Sequence, residues 1–133
     1  MIEGISHITL IVKDLAKTAA LLESVLGANP IYDSGSAQFS LSREMFFMVG
    51  QTWLCLMEGG PLPTRTYNHI AFQIPDALYD TYRAKILASG AELLPGRPRV
   101  DGEGRSLYFY DFDNHLFELH TGTLAQRLAR YNQ

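Results

Sequence analysis

The chain has 133 residues, a hydrophobic content of 47%, a charged content of 19% and a formal net charge of -3. That size and balance predict one folded domain with a real core and exclude a disordered chain. The mild acidity argues against a nucleic-acid partner, which calls for a basic patch, while a local basic funnel for a small anion stays compatible with it.

The single cysteine, Cys55, excludes an intrachain disulfide. It lies in the apolar run 53–57 and reads as a buried thiol, which suits a reducing, cytoplasmic location. The first fourteen residues carry an acid early and a short apolar run that alternates with polar residues. Neither a signal peptide nor a membrane-spanning helix is expected, and no membrane partner.

In chain order, residues 5–12 alternate as a strand with His7, Thr9 and Ile11 on one face. Asp14 caps a helix through about Leu26, with Leu15, Ala19, Leu22 and Leu26 at helical spacing, and Gly27 stops it. Residues 31–34 begin a strand, 38–41 form a second short one, and Ser42-Arg43-Glu44 is a polar interruption. Apolar strands follow over 45–49 and 52–57, separated by Gly50-Gln51. The stretch 58–63, rich in Gly and Pro, is a linker.

The pattern then restarts. Residues 67–74 form a strand, and a helix spans about 77–89 with Leu78, Tyr82 and Ile86 on one stripe, stopped by Gly90. A short strand at 92–94 leads into a loop over 96–105. Residues 106–120 form a hairpin whose turn uses Asp113 and Asn114, because Asn tolerates the left-handed backbone. A terminal helix over 123–131 places Leu124 and Leu128 inward. The two halves begin alike, Ser6-His7-Ile8-Thr9-Leu10 against Asn68-His69-Ile70-Ala71-Phe72, so the chain is an internal repeat whose halves must pair to close a core.

Alternation in the last strand puts Leu116, Glu118 and His120 on one face. Glu118 is thus a carboxylate within an apolar strand and requires a cation, hydrogen bonds or a metal. His7 and His69 occupy matching positions of the repeat. Each alone fits a core histidine bonded to a main-chain carbonyl. Together with Glu118 they compose a ligand set with open coordination positions, suited to Mn, Fe or catalytic Zn. His115 lies in the turn and reads as structural, while His120 is either a support to Glu118 or a surface histidine.

These motifs, with Trp53-Leu54-Cys55-Leu56, the run Gly102-Glu103-Gly104-Arg105-Ser106-Leu107-Tyr108-Phe109-Tyr110-Asp111, the strand 114–120 and Gly122-Thr123-Leu124 followed by Arg127-Leu128, cover almost the whole chain. The sequence resembles the vicinal oxygen chelate superfamily and, within it, fosfomycin resistance proteins of the FosX type. The resemblance implies an α+β fold of two βαβββ modules, with mixed sheets forming a partly closed barrel and modules paired across a homodimer. One domain would then span 1–133, with module one at about 1–60, module two at about 65–122 and the C-terminal helix at about 123–131.

The resemblance also implies the chemistry. Mn(II), with other divalent cations as options, would be held by His7 of one subunit and by His69 and Glu118 of the other. The substrate would be fosfomycin, a small phosphonate epoxide, hydrolysed to a diol. Thr9, Ser106, Tyr108 and Arg127 would bind the phosphonate, with Trp53 and Tyr67 near the pocket. Glu44 would be the general base, since a hydrolase must generate its own nucleophile. Thiol-transferring relatives keep a lysine before the Gly-Arg-Ser run; here Arg97 and Arg99 lie near that position, and either could supply the charge. A thiol transferase, an isomerase or dioxygenase on the same scaffold, and a metal-free drug-binding protein are the competing readings.

Overall fold

The computed structural model describes residues 1–37, 39–97 and 101–132. The chain divides into two compact units, Met1–Thr64 with Phe112–Asn114, and Arg65–Asp111 with His115–Gln133.

The first unit contains β1 (His7–Val12), α1 (Leu15–Leu26), β2 (Asn29–Asp33), β3 (Glu44–Val49) and β4 (Thr52–Glu58). Its sheet has the order β1-β4-β3-β2, with β1 parallel to β4 and the other pairs antiparallel. The Asp14 side chain accepts the Lys17 N–H at 3.0 Å to start α1, and Gly27 ends it at φ 63°, which costs glycine no Cβ clash. The helix buries Leu15, Leu21, Leu22 and Val25, and Val12, Phe47, Leu54 and Leu56 of the sheet are fully buried. Strand alternation in β1 then leaves His7, Thr9 and Ile11 on the opposite, exposed face. Asp113 joins this unit by accepting the Lys13 N–H at 2.9 Å, and Asn114 donates to the Leu62 carbonyl at 2.7 Å.

The second unit repeats the plan with β5 (His69–Gln73), a 3-10 turn over Asp76–Leu78, α2 (Tyr79–Ser89), β6 (Glu92–Leu93), β7 (Ser106–Tyr110), β8 (Leu116–His120) and α3 (Leu124–Tyr131). Its order is β5-β8-β7-β6, again with the first strand parallel to the last of the hairpin. Phe117 stacks between Phe109, at 5.5 Å, and Phe72, at 6.4 Å, and Ile86 is fully buried. Asn114 adopts φ 70° in the β7–β8 connection, as the turn chemistry requires.

Several local expectations change. Gln38 lies outside the described residues, and 39–41 form bends, not a strand. The polar interruption is shorter than 42–44: Glu44 is the first residue of β3 and is 8% exposed. The Arg43–Asp33 ion pair and the Ser34 hydroxyl take up the polarity of that corner, so the strand begins earlier. In the helical stripe only Ile86 is buried, because Leu78 sits in the 3-10 turn at φ -100° and ψ 5°, where its side chain leaves the helical row. Leu124 and Leu128 are 73% and 48% exposed on α3, not inward. Each sheet is open, with edge strands β1 and β2 in one and β5 and β6 in the other, so no barrel closes within either unit among the described residues.

Candidate metal centre and substrate face

In the second unit, register decides which side chains meet. Ala71 pairs with Glu118, Tyr108 with Glu118, and Ser106 with His120, so His69, Ser106, Tyr108, Glu118 and His120 share one face of the sheet. His69 Nε2 lies 3.0 Å from Glu118 Oε1. His69 Nδ1 is 2.7 Å from the Tyr67 carbonyl and donates its proton there. That bond turns Nε2 toward a carboxylate oxygen. Either a ring proton or a metal ion can bridge the two atoms at this distance, and a carbonyl-anchored imidazole is the usual support for a metal-ligating histidine.

The other Glu118 oxygen, Oε2, accepts from Ser106 Oγ at 2.6 Å. Ser106 Oγ is also 2.7 Å from His120 Nδ1, and His120 Nε2 is 3.3 Å from Arg127 Nη2. The Tyr67 hydroxyl donates to that of Tyr108 at 3.0 Å. The Tyr108 hydroxyl is held above the usual phenol range, first by burial, then by the Tyr67 hydrogen bond and the Glu118 charge. It therefore stays a neutral hydroxyl across the working pH range. A cavity of about 380 Å³ opens beside these residues and is lined by Arg97, Arg105, Ser106, Tyr108 and His120 among others. Arg105 is already bonded to Asp76 at 2.9 Å, and Arg99 lies outside the described residues.

In the first unit, His7 pairs with Trp53, Thr9 with Cys55, and Phe46 with Cys55, while Glu44 pairs with Met57. His7, Thr9, Glu44, Trp53 and Cys55 thus share the face opposite α1. The His7 and Trp53 rings lie 4.2 Å apart, and Ser6 Oγ is 3.0 Å from His7 Nδ1. The Glu44 main chain is fixed by Ser34 on both sides, its N–H donating to Oγ and its carbonyl accepting from the Ser34 N–H, each at 3.0 Å. Its Oε2 is 3.7 Å from Cys55 Sγ. Burial, with the Glu44 charge beside it, pushes the Cys55 thiol up to about 11. Trp53 Nε1 is buried with no hydrogen-bond partner, a donor left for an acceptor that the described residues do not supply.

The structure therefore brings His69 and Glu118 together with Ser106, Tyr108, Tyr67 and, through His120, Arg127. Separately, it places His7, Thr9, Glu44 and Trp53 on one face of the first unit. Among the described residues no three His, Cys, Asp or Glu side chains of this chain form a ready metal cage. One contributor was not legible as a partner in the sequence: Cys55 reaches Glu44 only through strand register. His120, which the sequence left open between a support to Glu118 and a surface histidine, has its Nδ1 2.7 Å from Ser106 Oγ and 3.4 Å from Glu118 Oε2.

Two mixed βαβββ sheets, each opening with a histidine strand and one ending in a carboxylate strand, define the class of paired-module folds. The chain belongs to the Glyoxalase/Bleomycin resistance protein/Dioxygenase superfamily, whose family model matches residues 4–119. Within it, the chain is 58% identical over 133 residues to the fosfomycin resistance protein FosX of Listeria monocytogenes, covering 100% of both chains. It is 56% identical over 130 residues to FosX of Mesorhizobium japonicum, covering 98% of this chain and 94% of that one. A crystal structure of a FosX mutant from Listeria monocytogenes, complexed with Mn(II) and a dihydroxypropylphosphonic acid, matches at a TM-score of 0.90 with 60% identity, over 98% of this chain and 99% of that one.

Proposed function

We propose that this chain is a Mn(II)-dependent epoxide hydrolase that adds water to fosfomycin and confers resistance to it. The observation that carries the reading is Glu44: a carboxylate 8% exposed, held by its strand on the same face as His7 and Thr9. A thiol transferase obtains its nucleophile from a cosubstrate, whereas a hydrolase needs a base placed to make one from water. The full-length identity to FosX, and the diol phosphonate named in a FosX complex, support the same reaction.

His69 Nε2 and Glu118 Oε1 would hold the metal together with His7 from a second subunit. When bound, the ion supplies Lewis-acid polarisation of the epoxide C–O bond. Glu44 takes a proton from water as the new C–O bond forms and the ring C–O bond breaks, and the departing oxygen regains a proton to complete the diol. Thr9, Tyr108 and Arg127 would donate to the phosphonate, Ser106, whose proton lies on Glu118 Oε2, borders the same position, and Arg97 stands at the cavity wall as an additional cation. Tyr67, bonded to Tyr108 at 3.0 Å, and Trp53, 4.2 Å from the His7 ring, would border the substrate.

A homodimer with exchanged modules fits the uncovered apolar side chains of the single chain, including Ile2, Ile5, Phe39, Leu41 and Leu124. A single vicinal oxygen chelate domain over 1–133, in a cytoplasmic setting without nucleic acid or membrane, completes the reading. No helix among the described residues is long and apolar enough to cross a membrane. The deciding experiment incubates Mn(II)-loaded protein with fosfomycin in thiol-free buffer and identifies the product by phosphorus NMR and mass. The diol is expected. Adducts only after addition of a thiol would assign a transferase instead.

A further inference from the structure

We propose that His120 is a positioning residue that directs the proton of Ser106 onto Glu118 and so aims the carboxylate at the metal position. The inference rests on Glu118 being a metal ligand. It follows from counting donors. An ionised carboxylate only accepts, and a serine hydroxyl has one proton. Ser106 Oγ lies 2.6 Å from Glu118 Oε2, so its proton is committed there. The 2.7 Å contact between Ser106 Oγ and His120 Nδ1 must then be donated by the ring. With the proton on Nδ1, the Nε2 lone pair faces Arg127 Nη2 at 3.3 Å, and a guanidinium nitrogen only donates.

Every bond in the chain therefore points one way: guanidinium to imidazole, imidazole to hydroxyl, hydroxyl to carboxylate. Such a series is mutually polarising. It pins Oε2 and leaves Oε1 on the side of His69 Nε2, 3.0 Å away. It uses one of the five N–H donors of Arg127 and leaves the rest for an anion.

The fold makes room for this arrangement. Antiparallel register sets Ser106 opposite His120 and Tyr108 opposite Glu118. Beyond β8, Gly122 is packed so closely that a Cβ would lie 2.8 Å from His120 Nε2 and 2.7 Å from the Glu103 carbonyl. A side chain there would displace the ring from its place between Ser106 and Arg127. The capping box of Thr123 and Gln126 then starts α3 one residue on and carries Arg127 back toward the ring.

The test measures Mn(II) binding to metal-stripped protein by electron paramagnetic resonance, with no substrate present. Three variants are compared: His120→Ala, His120→Asn and His120→Gln. An asparagine amide can stand where Nδ1 stands and donate to Ser106, whereas a glutamine amide reaches the Nε2 position next to Arg127. The expected loss in affinity for His120→Ala is about 10- to 100-fold, the range for removing the support of a metal ligand. His120→Asn should recover most of it, His120→Gln little, and the spectrum of the bound ion should change only where affinity falls. Wild-type affinity in His120→Ala, or equal recovery by Asn and Gln, overturns the proposal. If His120→Ala does not fold, judged by circular dichroism, the Asn and Gln pair decides alone. Failure of the wild-type chain itself to bind Mn(II) would instead overturn the metal reading on which this one stands.

Discussion

Replacing Glu44 by glutamine separates its chemistry from its place in the fold. The main-chain bonds to Ser34 on both sides are backbone or hydroxyl contacts that the Glu44→Gln substitution keeps. The side-chain volume is also kept, and Cys55 Sγ, 3.7 Å from Oε2, still has a polar neighbour. The folded chain should therefore lose less than about 1 kcal/mol, the scale of one altered neutral hydrogen bond. Turnover should fall far more. A positioned general base contributes about 10²- to 10⁴-fold, which at 1.36 kcal/mol per tenfold corresponds to about 3–5 kcal/mol of barrier. The assay is diol formation in thiol-free, Mn(II)-loaded samples, followed by phosphorus NMR at saturating fosfomycin. Thermal unfolding and Mn(II) affinity are measured on the same preparation. Both should match wild type, because Glu44 is not among the proposed ligands. A kcat within about threefold of wild type, well short of the expected range, would refute the reasoning. So would an equal loss of Mn(II) affinity, which would move Glu44 from base to ligand.

Other consequences follow from the same geometry. Phe117 is fully buried and stacked on two aromatic rings, so Phe117→Ala should cost about 3–5 kcal/mol in chemical denaturation; a loss under about 1 kcal/mol would mean the second unit's core is not packed as described. The Cys55 thiol, pushed up to about 11 by burial, should react slowly with a disulfide reagent at pH 8 in the folded chain and quickly once unfolded, and equal rates would contradict its burial. Because folding favours the protonated thiol, its contribution to stability is complete below the ordinary thiol value of 9.0 and disappears as pH rises through about 11. Chelation should abolish turnover and Mn(II) should restore it. At about 100 times Kd the ion should also add about 2.7 kcal/mol to unfolding, so an unchanged Tm would argue against a specific site.

Much of this protein's local structure is written in short stretches of sequence. Asp14 and Gly27 mark the ends of α1 because capping acts between groups three or four residues apart, and Asn114 marks the hairpin because few side chains tolerate its backbone. The duplicated histidine strand announced two sheets of the same order, and an isolated carboxylate among apolar residues announced that Glu118 needed partners. The burial of Glu44 could not be read in this way. Its neighbours in sequence are polar, and only the pairing of β3 with β4 and the Ser34 contacts turn a turn-like charge into a buried strand residue. His120 is the same case, since the direction of its hydrogen bond depends on which acceptor has already taken the proton of Ser106, fourteen positions away. Capping and alternation are settled within a few bonds of the residue concerned. Burial and proton direction are settled by atoms that the chain brings together only after it has folded.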